Sequence, residues 1–159
     1  MKWYQSSRVI SIAFALIAIF FIGCSSLVQV ISPNPTDPTA TTNGYNMDAA
    51  GHYIIKIVFN NAINPSTVVI KQTLKLHFSK DPNADATIAW SPDSKIATVT
   101  TVLTRDMLNI FRPDDHFTLT LVGTNEGNGV VKSAGGDVLD GDYSNSGGGN
   151  YVMGFTIIG

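Results

Sequence analysis

The chain has 159 residues, enough for one domain of ordinary size, with 44% hydrophobic and only 14% charged residues. Its formal charge is −2, and without Lys2 and Arg8 the remaining 8 basic against 12 acidic side chains give −4. A mildly acidic chain without basic runs argues against nucleic acid as a partner, and a single Cys excludes an intrachain disulfide and a Cys-rich metal site.

Residues 1–8 form a short positive region, and residues 9–22 are apolar except for Ser11. No charge follows Arg8 until Asp37. A positive start, an apolar stretch and a small residue before the cut describe an export signal. Phe21-Ile22-Gly23-Cys24 resembles the lipobox of bacterial lipoproteins, with Phe21 where Leu, Ile or Val is usual. The resemblance implies cleavage between Gly23 and Cys24 and acylation of Cys24, for example with palmitate. The expected division is a signal peptide over 1–23, a lipidated Cys and short tether over 24–26, and a domain over 27–159. An uncleaved membrane-spanning helix starting at Val9 is the alternative, although Gly23, Ser25, Ser26 and Gln29 weaken its second half. Either way the domain is exported. Ser25 rather than Asp after Cys24 suits outer-membrane sorting under enterobacterial rules, so the expected location is the cell envelope, at the outer membrane or cell surface.

In the mature chain, residues 27–31 form a short β-type run stopped by Pro33, Pro35 and Pro38. Residues 39–51 are polar and small, with Asn43-Gly44 and Ala50-Gly51 as turn signals. The clearest strand is 52–59, with Tyr53, Ile55, Ile57 and Phe59 on one face. Asn64-Pro65-Ser66-Thr67 reads as a turn or one helical turn. Residues 73–79 alternate, with Leu74, Leu76 and Phe78 inward and Lys75 and His77 outward. Residues 86–90 repeat the pattern with Ile88 and Trp90, and Ser91-Pro92-Asp93-Ser94 forms a turn into a strand over 96–103. A short helix is predicted over 106–111, then a strand over 116–122 with Phe117, Leu119 and Leu121 inward. A weak strand at Val130-Val131 precedes a long loop over 133–150. The last strand is 151–158, with Tyr151, Met153, Phe155 and Ile157 in phase. Seven or eight short strands without a long helix predict an all-β, antiparallel sandwich.

Several segments resemble, in order, bacterial Ig-like domains of the SbsA or Big type. They are Ile57-Val58-Phe59 with 63–68, the hairpin at 90–95, the strand approach over 111–121, the Val138-Leu139-Asp140-Gly141-Asp142 loop and Phe155-Thr156-Ile157. The resemblance covers about 27–159 and implies an Ig-like sandwich acting as a structural, spacer or adhesion module, with no catalytic residues to carry over.

Candidate chemistry is sparse. His52, His77 and His116 fall on the outward phase of three different predicted strands, and no His-Glu-x-x-His or paired Cys/His spacing joins them. The loop over 135–144 is the better metal candidate. Asp140, Asp142 and Ser144 alternate as at the start of a calcium-binding EF-hand loop, and Asp137 could add an oxygen. The pattern then lapses, with Asn145 at the sixth place and Tyr151 at the twelfth; a solvated turn accounts for the same residues. Tyr45 and Tyr143 lie in polar stretches, where tyrosine can stack on a sugar or a partner surface. Trp90 and Tyr151 are expected in the sandwich. For catalysis there is no Gly-x-Ser-x-Gly elbow, no phosphate loop and one Glu, Glu126. The expected function is that of a non-catalytic, membrane-anchored envelope lipoprotein that meets protein or glycan partners. The alternative is a Ca2+-dependent or carbohydrate-binding module using the Asp137 to Asp142 loop.

Overall fold

The computed structural model describes residues 27–32, 46–78, 81–104, 116–125, 127 and 129–156. Gly23, Cys24, Tyr45 and the helix predicted over 106–111 lie outside the described residues, as do the side chains of His116, Phe117 and Phe155.

Among the described residues, eight strands follow in chain order: β1 (Val30–Ser32), β2 (Asn46–Met47), β3 (His52–Phe59), β4 (Leu74–Phe78), β5 (Ala86–Trp90), β6 (Ile96–Thr104), β7 (His116–Leu121) and β8 (Tyr151–Thr156). One sheet has the order β1-β3-β6-β5, with β2 also on β3; the other has the order β4-β7-β8. All pairings between these strands are antiparallel. The chain changes sheet after β3, β4 and β6, so an all-β, Ig-like antiparallel sandwich is the fold.

The inward faces follow from the period-2 patterning of each strand. Tyr53, Ile55, Ile57 and Phe59 of β3 and Leu74, Leu76 and Phe78 of β4 are all buried. They join Leu119 and Leu121 of β7 and Tyr151 and Met153 of β8 in one continuous core. Trp90 at the end of β5 stacks on Phe59, with ring centroids 6.1 Å apart and planes at 25°. Register agrees with this, since Ile55 pairs with Val99 and Ile57 with Ala97 of β6, residues that are themselves buried. Slipping the register by one residue would turn every one of these apolar side chains outward.

Of two short elements, one agrees with expectation and one differs. The helical turn foreseen near Pro65 is a 3-10 turn at Pro65–Thr67, capped by the Asn64 side chain, which accepts from the Ser66 amide at 3.1 Å. The strand expected at Val130-Val131 does not form; Lys132 and Ser133 make only single bridges, to Val138 and Ile63. Val131 is nevertheless buried and donates to the Val122 carbonyl at 2.8 Å. Its apolar side chain joins the hydrophobic core, while its carbonyl accepts from the Leu139 amide at 3.0 Å.

Candidate functional site

The long loop over 133–150 carries Asp137, Asp140, Asp142, Tyr143 and Ser144, five of the residues singled out in the sequence. It begins with a turn around Ser133, whose hydroxyl accepts from the Gly135 and Asp137 amides at 3.1 and 3.0 Å and donates to Asp137 Oδ2 at 3.3 Å. Asp137 is thus occupied within its own turn. Leu139, fully buried, then carries the chain into the sandwich by bridging in parallel to Val28.

Asp140 is fully buried, and its carboxylate is surrounded by donors. Oδ1 accepts from the Ser144 amide at 3.0 Å and the Ser144 hydroxyl at 3.3 Å. Oδ2 accepts from Gln29 Nε2 at 2.6 Å and the Asn145 amide at 3.2 Å. A carboxylate offers about four lone-pair positions, and all are used. The Asp140 amide donates to the Val28 carbonyl at 2.8 Å. One residue therefore closes its own loop and fastens it to the chain's first described segment.

Asp142 is exposed, and its Oδ1 accepts from the Ser144 amide at 3.2 Å. Hydrogen bonding from the Ser144 side chain, then from its amide, holds the Asp142 carboxyl below the usual carboxylate range. Tyr143 adopts φ 58°, in the left-handed region. That conformation turns its half-buried ring against the core, and its hydroxyl donates to the Val30 carbonyl at 2.7 Å. Burial, followed by the neighbouring Asp140 charge, raises the phenol pKa. Tyr143, read from the sequence as a stacking surface, is committed inward because its φ and its hydrogen bond both aim it at β1.

Calcium needs six to eight oxygens at close range. For Asp140 to supply one, it would have to release a backbone or side-chain donor. Among the described residues no group of three or more His, Cys, Asp or Glu side chains is placed to hold a metal ion. The histidines are not brought together either: His52 lies on β3 of one sheet, His77 on β4 and His116 on β7 of the other. His52 Nδ1 instead lies 2.9 Å from Asp48 Oδ2. Backbone hydrogen bonding from His52, then its side chain, lowers the Asp48 pKa.

The residues that hold the N-terminal segment were not singled out in the sequence. Asn60 Nδ2 donates to the Leu27 carbonyl at 2.7 Å, and Asn60 Oδ1 accepts from the Gln29 amide at 2.8 Å. Asn61 Nδ2 adds a bond to Leu27 O at 3.3 Å. The only signal was the Asn60-Asn61 pair after a strong strand, which reads equally well as a plain strand stop. No buried side-chain nitrogen or oxygen among the described residues lacks a hydrogen-bond partner.

No protein-family model matches the chain, and no curated protein sequence matches it. Among solved structures it is similar to a surface layer protein SbsC structure of domains 1–6, at TM-score 0.47 and 13% identity over 95% of this chain. It is also similar to the N-terminal part of the bacterial S-layer protein SbsC, at TM-score 0.45 and 13% identity over 94% of this chain. The chain spans 16% and 27% of those two chains. A TM-score below 0.5 at this identity establishes no shared function.

Proposed function

We propose that this chain is a membrane-anchored lipoprotein of the bacterial cell envelope, whose Ig-like sandwich is a non-catalytic structural or interaction module. The observation that carries the reading is the junction at Gly23-Cys24, which follows the apolar run over 9–22 and precedes a folded strand by a few residues. A lipid anchor placed there needs no membrane-crossing helix in the domain, and among the described residues no helix is long and apolar enough to cross. Several acyl chains on Cys24 would make attachment durable, since each buried CH2 contributes about 0.8 kcal/mol.

The non-catalytic part rests on how the polar groups are used. Asp140, Ser144, Asn60 and Thr73 are all hydrogen-bonded to backbone or to neighbouring side chains. No side chain among them is left poised as a nucleophile or base, as catalysis would require.

Metabolic labelling with a fatty acid tests the anchor. The wild-type chain should incorporate label and partition with membranes, and Cys24→Ser should do neither. Label retained by Cys24→Ser, or absent from the wild type, contradicts the reading.

A further inference from the structure

We propose that the end of the sandwich where the chain enters the fold is its membrane-facing surface, with the phospholipid headgroup layer as its occupant. The inference rests on Cys24 being the lipid attachment site. Only Ser25 and Ser26 separate Cys24 from Leu27, so the two Cα atoms are at most about 11 Å apart.

That short reach would define nothing if the first described residues were loose, but they are fixed. The Leu27 carbonyl accepts from Asn60 and Asn61, at 2.7 and 3.3 Å. Val28 is fully buried and bridged to Leu139. Gln29 is bonded through its amide to Asn60 Oδ1, through its carbonyl to the Asn60 amide at 3.1 Å and through its side chain to Asp140. An anchor attached so close to such a clamp sets the orientation of the domain and not merely its address.

Three segments meet at this end. The turn after β3 holds Leu27 through Asn60 and Asn61. The β5–β6 hairpin tip adjoins it, where Lys95 Nζ donates to the Asn60 carbonyl at 3.3 Å and the Ile63 amide donates to Ser94 O at 2.9 Å. The long loop joins through the Ala134 amide, which donates to Ala62 O at 2.8 Å, and through Asp140. The exposed charges here have both signs, Lys95 and Lys132 beside Asp93 and Asp142. A mixed set of this kind suits zwitterionic headgroups and does not require an anionic lipid. The other end of β3, at His52 and the Asp48–Gly51 turn, is about 23 Å away at the usual rise over eight residues.

The consequence is specific. The long Gly- and Asp-containing loop, the most eye-catching surface feature of the sequence, lies against lipid, and the far end is what the module presents outward.

The test uses the full lipidated chain, purified from membranes and reconstituted into phosphatidylcholine vesicles carrying a nitroxide on a fraction of their headgroups. Ala134→Cys, Ser146→Cys and Ala50→Cys each add one thiol at an exposed position. With Cys24, the chain's sole native cysteine, acylated, that thiol is the one a fluorophore labels. Quenching severalfold stronger at 134 and 146 than at 50 is the expected result. Equal quenching at all three, or stronger quenching at 50, in protein that carries fatty acid overturns the orientation while leaving the anchor intact. Protein without fatty acid at Cys24 overturns the anchor, and the orientation with it.

Discussion

At the scale of single residues, the structure turns on a buried carboxylate whose two oxygens are both held by hydrogen-bond donors. Asp140 takes two hydrogen bonds on each oxygen, from Ser144, Asn145 and Gln29. Replacing it with Asn puts an amide group against two donors wherever the side chain is flipped. Hydrogen bonds to charged groups contribute about 1.5–3 kcal/mol, and a buried donor left unpaired costs a comparable amount. Asp140→Asn should therefore destabilise the domain by about 3 kcal/mol in urea unfolding, while the exposed Asp142→Asn should leave the urea midpoint close to that of wild type. Similar losses for the two variants would show that Asp140 is not the fastening. The sequence revealed Asp140 as an oxygen ligand at a suggestive spacing, but spacing alone does not distinguish a carboxylate facing a metal from one facing amides. The long-range donor to Asp140 is Gln29, 111 positions away in the chain, and no local pattern announces that contact.

At the scale of elements, strands with strict alternation were legible and irregular segments were not. Residues 86–90 form β5 as predicted, and β3, β4, β6 and β7 end within a residue or so of expectation, because one buried face imposes the period of two. β2, two residues paired to β3 near its start, had no such signal: Asn46 and Met47 follow a polar stretch and owe their pairing to the edge of β3. The long loop was legible as a loop but not as a packed one. Its path requires Gly141, which is buried with no room for a side chain, because a Cβ there would overlap the backbone of Asn150 and Tyr151. Gly147 in the same loop has its nearest neighbour, Val138 O, at 3.6 Å from an added Cβ. Gly141→Ala should cost at least about 3 kcal/mol, since overpacking against backbone cannot be relieved by a rotamer change, whereas Gly147→Ala should lie within about 0.5 kcal/mol of wild type. Thermal unfolding of the pair measures the contrast, and a tolerated Gly141→Ala would mean that the loop does not run against the start of β8.

For the whole molecule, two solution responses follow from where its charges sit. Calcium at about 1 mM, the range in which extracellular modules bind it, should leave the melting temperature unchanged, because Asp140 has no free lone pair. A ligand that bound only the folded state at 100 times its Kd would contribute about 2.7 kcal/mol, so a calcium-dependent rise abolished by Asp142→Asn would establish the metal site.

Acid should act differently. Asp48, Asp85, Asp93 and Asp142 all have carboxyl pKa values lowered in the folded state: by His52, by the Lys71 ion pair at 3.0 Å, by Ser91 and by Ser144, respectively. A lowered folded pKa means that the unfolded chain binds protons first. The stabilisation is then complete above the unfolded carboxylate value of about 3.9 and is lost as pH falls through the folded values. Asp85, Asp93 and Asp142 are exposed and Asp48 is half-buried at the surface, so each contribution is small, but all four share one sign. Protonation of the carboxylates also leaves the Lys, Arg and His charges unopposed, and that repulsion acts in the same direction. The urea midpoint should hold from pH 7 to about 5 and decline steeply below about 4. Changing the four aspartates together to Asn should flatten the decline, leaving mainly the part due to repulsion. A wild-type midpoint unchanged between pH 7 and pH 3 would mean that these pairings, His52 with Asp48 and Lys71 with Asp85 among them, do not persist in solution.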